Sequence, residues 1–197
     1  MGYAASFPAV RSGLSLVAAL LLAVFAAQGQ ALPLDERGKA SFYEVVTADS
    51  LRAVLLYTHA KSWLRQRGYV VAVADSAAGQ LVASNAFDLY DRSYITKKLH
   101  GKVRYQLTIE VKDGRYRVHC RDFIFAYYQE DRLSRFSPTG KTKPLEEPTA
   151  AGWQKLWANH RHDTLLTIVA LSAELKTAML AVPKPTALTH RPLLGEW

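Results

Sequence analysis

The chain has 197 residues, 49% apolar and 21% charged, with a formal net charge of +8 and one cysteine. This balance excludes a wholly disordered polypeptide and suits one domain of ordinary size plus tails. A lone thiol excludes an internal disulfide, and so small a positive surplus permits acidic partners without demanding them.

Residues 1–29 have the form of a secretory signal peptide. Arg11 supplies the positive start, and Leu14 to Ala27 is an apolar run shorter than the roughly 20 residues of a membrane span. Small residues allow cleavage after Gly29 or after Ala31, and no Cys follows the run, so it is not a lipoprotein signal. The alternative is an uncleaved N-terminal anchor. Cleavage predicts an exported protein, periplasmic or secreted, with no transmembrane segment left.

Residues 30–40, with Pro33 and mixed charges, are expected to form a disordered lead-in, residues 41–182 a single domain and residues 183–197 an irregular tail. Ser41 to Val46 reads as a first strand. A helix follows, with Thr47 as its expected N-cap and Asp49 in its first turn. Ala53, Leu56, Tyr57, Ala60, Trp63 and Leu64 recur at helical spacing, and Gly68 is a natural stop. Strands are predicted over 69–74 and 80–90, joined by a turn at Asp75 to Gly79. A polar connection over 91–101 comes next.

From Lys102 to Tyr128 the chain reads as a long hairpin. Val103, Tyr105, Leu107, Ile109 and Val111 alternate with polar residues, the period of a half-buried strand. Asp113-Gly114 then predicts a two-residue type I′ turn. That register faces Glu110 with Arg117, Thr108 with His119, and Gln106 with Arg121 on the wet side. On the dry side it faces Leu107 with Cys120, a buried small hydrophobe, and Tyr105 with Asp122. Phe123, Phe125 and Tyr127 then carry the wet parity. Either a bulge reverses the facing, or this end of the sheet is covered on both sides. Residues 129–151, with three prolines, read as a long surface loop. Helical spacing returns from Trp153 to about Leu180 along Trp157, Arg161, Leu165, Ile168, Ser172, Leu175 and Met179, with a possible break at His162-Asp163.

Strand, helix, four strands, helix is the order of a two-layer α+β domain with an antiparallel sheet backed by two helices. With these residues, the stretch from Phe42 to Met179 resembles an uncharacterised exported bacterial family, a domain of unknown function with a TATA-binding-protein-like fold. FYEVV with the helix ending in KSWL, then AGQLVA, and above all YQLTIEVKDGRYRV carry the likeness. The resemblance implies a curved sheet backed by two helices. It implies no activity or cofactor, and a fold name does not import DNA binding.

No catalytic signature is present: no Gly-x-Ser-x-Gly, phosphate loop, dinucleotide fingerprint or His-Glu-x-x-His. His160 and His162 would diverge on a helix and do not read as a metal pair. Glu110 faces an arginine and Asp113 makes a turn, so neither reads as a general acid or base. The surface with chemical character is the wet face of the hairpin, where Arg104, Arg117, His119, Arg121 and Phe123 are the candidate binding residues. The expectation is a non-catalytic exported domain that binds or scaffolds through this face. An anionic glycan, a lipid headgroup or an acidic protein would be its partner, with no nucleic acid and no cofactor. The alternative is an enzyme whose site is assembled from Asp122, His119 and the 129–151 loop.

Overall fold

The computed structural model describes residues 32–91, 98–150 and 153–181. The expected signal peptide, the central part of the 91–101 connection and the expected tail lie outside the described residues. Strand β1 covers Ser41–Thr47, β2 Val70–Asp75, β3 Gln80–Asp91, β4 Lys98–Lys112, β5 Arg115–Glu130 and β6 Phe136–Pro144. Helix α1 covers Ala53–Gln66 and α2 Gln154–Met179. The strands form one six-stranded sheet in the order β1-β5-β4-β3-β2, with β6 also beside β5. The order of elements and the two helices match the expected α+β class. Among the described residues, no helix is long and apolar enough to cross a membrane.

The chain divides into two compact units, each drawn from three separate stretches. The first takes residues up to Phe42, Ala86–Gln106 and Cys120–Ile168. Its core holds Tyr105, Phe123, Phe125, Leu145, Trp157 and Ile168, each no more than 4% exposed. The second takes Tyr43–Asn85, Leu107–His119 and the chain from Val169 onward. Its core holds Leu56, Leu64, Leu81, Ile109, Tyr116, Leu175 and Met179.

The hairpin forms as its alternation predicts. Arg117 pairs with Glu110, and Arg121 Nε donates to Gln106 Oε1 at 2.7 Å, so both wet-face partners are those of the expected register. The turn is different. Gly114 has φ +74°, whereas Asp113 is not in the positive-φ region that type I′ requires. Its backbone is held from outside the hairpin. Gly114 N–H donates to the Leu51 carbonyl and Ala48 N–H to the Gly114 carbonyl, while Asp113 Oδ1 accepts from Ala53 N–H at 2.7 Å. Asp113 therefore caps α1. The helix begins at Ala53, later than the Thr47 cap predicted, and carries no acid in its first turn.

Beyond Cys120 the parity question is resolved by Asp122, which adopts φ +57° in mid-strand. Cys120 and Phe123 both face inward, three positions apart instead of two, so one extra residue has been absorbed. Asp is one of the few side chains that tolerate this conformation. Tyr105 consequently stacks on Phe123 at 5.9 Å and 15°, and Asp122, expected to point inward on strict alternation, is exposed.

Two segments are more ordered than expected. Residues 32–40, predicted to be disordered, fold back as a small hairpin with a Leu34–Ala40 bridge. Asp35 Oδ1 accepts from the backbone of Arg37 and Lys39, and Leu32 and Ala40 are 1% exposed. Residues 136–144, predicted as surface loop, form strand β6, paired antiparallel with Ile124–Glu130 of β5. Its prolines fit because they lie opposite Tyr128 and Ile124 on a strand with an open side. Gly140, at φ +78°, falls where the register shifts. Helix α2 runs without the break expected at His162-Asp163.

Candidate functional sites

Each compact unit carries one site with chemical character. In the second unit, β1, β5 and β4 lie side by side, and their wet faces enclose a groove of about 270 Å³ lined by Tyr43, Val45, Glu110, Lys112, Arg115 and Arg117. Alternation on β1 turns Tyr43 and Val45 out, leaving them 57% and 52% exposed. Lys112 and Arg115 flank the turn, and Glu110 is taken up by Arg117. The hydrogen bond that Arg117 donates to Glu110 raises the Arg117 pKa above its ordinary value. One acid against three cations leaves net positive charge beside an exposed phenol. His119, half-buried, meets the edge of Tyr43 at 6.0 Å.

The candidate binding residues thus separate. Arg117 lines the groove and His119 adjoins its tyrosine. Arg104 and Arg121 are exposed but belong to the first unit, where Arg121 is held by Gln106 and lies 3.7 Å from Asp122. Phe123 is 0% exposed and is core, because the residue inserted at Asp122 turned it inward. Lys112, Arg115 and Tyr43 join the groove instead. Their alternation was visible in the sequence, but β1 could not be placed beside β5 without the sheet order. For the alternative enzyme, Asp122 and His119 fall in different units, and much of the supposed loop is β6.

The first unit holds a site that the sequence did not disclose. His100 on β4 and His160 on α2 form a hydrogen bond, Nδ1 to Nε2, of 2.6 Å. His160 lies on the buried stripe Trp157, His160, Thr164, Ile168 of α2, and is 0% exposed. Its ring stacks on Phe125 at 5.1 Å, while the Thr164 hydroxyl donates to its backbone carbonyl. His100 stacks on Trp153 at 4.5 Å and 29° and meets the edge of Tyr127 at 6.0 Å. Gly101 next to it is obligatory, since a Cβ there would lie 2.3 Å from the Ala126 carbonyl oxygen and 2.5 Å from the Phe125 ring.

Two neutral imidazoles sharing one hydrogen bond leave one donor and one acceptor over. These fall on His100 Nε2 and His160 Nδ1, both buried and without a hydrogen-bond partner among the described residues. Burial disfavours the charged forms. It pulls the His100 pKa below its ordinary value and brings that of His160 down to about 4, helped by His100 and opposed by Asp91. His100 is also part of the wall of an open cleft of about 590 Å³ bounded by Lys98, Glu130, Phe136, Trp153, Gln154 and Asn159 among others. Neither was legible: the expected stripe of α2 runs through Arg161 and Leu165, which are half-buried, and leaves out His160, and the alternation of Val103 to Val111 extended backwards assigns His100 to the wet face.

The fold has counterparts among solved structures. No curated protein matches the chain. The fold is similar to a TBP-like protein from Parabacteroides distasonis, with a TM-score of 0.60 at 17% identity over 75% of this chain and 96% of that one. It is also similar to a DUF4468 family protein from Bacteroides ovatus, with a TM-score of 0.56 at 17% identity over 78% and 94%. Residues 42–126 match the family described as a domain of unknown function (DUF4468) with TBP-like fold, and both solved structures share that fold with this chain.

Proposed function

We propose that the protein is an exported, non-catalytic binding domain that takes an anionic partner in the groove of β1, β5 and β4. The observation that carries this reading is the groove lining: Lys112, Arg115 and Arg117 against Glu110 alone, beside exposed Tyr43 and Val45. Cations next to an aromatic face suit a ligand with acidic groups on an apolar or ring-bearing frame. The apolar run after Arg11 supports export and makes an acidic glycan of the envelope the leading candidate. Retention of the mature protein on immobilised heparin at moderate salt is the test. Lys112→Ala with Arg115→Ala should elute at clearly lower salt, since removing two cations weakens an attraction to sulfates that salt already screens. An unchanged elution position for that double variant would remove the groove from the argument. Sequencing the N-terminus of the exported protein should find cleavage after Gly29 or Ala31.

A further inference from the structure

The cleft of the first unit differs from the sheet groove in charge and in shape. We propose that it is a separate binding site for an uncharged saccharide, with Trp153 as the stacking platform and the amides of Gln154 and Asn159 as groups that recognise hydroxyls.

Trp153 is 45% exposed although one face of its indole is stacked on His100, and Tyr127 meets it edge-on at 6.3 Å. The ring is therefore fixed in place by its neighbours while much of its surface remains in water. A fixed aromatic plane loses little rotamer freedom when a ligand covers it. Phe136, 37% exposed, contributes a second apolar surface to the same cleft. The apolar C–H face of a pyranose is a natural complement to such planes.

The charges select against an ionic ligand. Lys98 and Glu130 lie 3.6 Å apart and offset one another. The remaining charged lining groups are Asp91 and Lys155, again one of each sign. With no net charge, the cleft offers no field to concentrate an anion, unlike the groove. What remains are neutral amides and carboxylate oxygens, which together donate to and accept from hydroxyls. A volume of about 590 Å³ lies in the range of roughly 300–1,000 Å³ typical of small-ligand sites, room for one or two sugar rings.

The test is an array of immobilised neutral and acidic oligosaccharides probed with the full chain. Wild type should be retained by neutral glycans, and Trp153→Ala should weaken that retention at least about tenfold. Asn159→Ala, on the exposed rim, should weaken it without lowering the melting temperature, which separates recognition from folding. Lys112→Ala with Arg115→Ala should leave neutral-glycan retention unchanged. Binding of acidic glycans alone, no retention of any neutral glycan, or full retention by both cleft variants would overturn the proposal. The acidic-only result would leave the groove assignment standing.

Discussion

At the scale of single residues, burying the histidine pair of the first unit carries a cost that depends on pH. His160 stays neutral in the folded protein until the pH falls to about 4, whereas in the unfolded chain it takes a proton near its ordinary value of about 6.5. Between those values the unfolded state binds more protons, so stability is complete above about pH 6.5 and falls as the pH drops. The groups that face the pair are each other and Asp91, whose carboxylate moderates the effect. The full difference corresponds to about 3 kcal/mol. Urea midpoints measured from pH 7.5 to 4.5 should fall more steeply for wild type than for His160→Leu, which has no proton to take up. Parallel curves would show that the imidazole does not titrate as its burial requires. Cys120 presents no comparable reactivity, because burial pushes its thiol up to about 12.

At the scale of elements, periodicity carried most of the information and long-range contacts the remainder. The stripe Leu56, Ala60, Trp63, Leu64 is buried as expected, and Gly68 stops the helix with φ +69°. The start of α1 could not be read locally, since its capping oxygen comes from Asp113, sixty positions later in the sequence. Asp113→Ala should therefore cost about 0.5–2 kcal/mol, the usual penalty for a missing helix cap, with Asp113→Asn recovering most of it. A urea titration in which the alanine variant matches wild type would contradict the capping role. Strand β6 was hidden by Pro138, Gly140 and Pro144, residues that mark loops on average and are admissible on a strand with an open side. The inserted residue at Asp122 was visible only as a failure of alternation, and choosing between its two explanations required the backbone angle. For the same reason Phe123, which carries the wet parity in sequence, proves to be core. The groove was half legible, through the wet parity of the hairpin, and the histidine pair joins positions 60 apart in sequence that no local pattern connects.

At the scale of the whole molecule, each compact unit is built from three stretches of chain, and β4, β5 and α2 contribute to both. A contiguous piece cannot reproduce either one. The fragment 42–126, the stretch that matches the family, ends before β6 and α2 and so lacks Leu145, Trp157, His160 and Ile168. In the whole protein Trp157 and His160 lie against Phe125 at 5.8 and 5.1 Å. The fragment should consequently lack a cooperative thermal transition and bind a hydrophobic dye, whereas residues 32–181 should melt sharply. A sharp transition for 42–126 would mean that the first core is dispensable. The extra residue at Asp122 has a consequence of another kind, for how such a gene tolerates length changes. Losing one codon there would restore unbroken alternation along β5 with Phe123 and Phe125 still facing the core. A codon removed from the Asp131–Arg135 turn would merely shorten a surface reversal. A single-codon deletion at 122 is thus a length change that β5 should survive, because it removes the one exposed residue that the strand had to absorb.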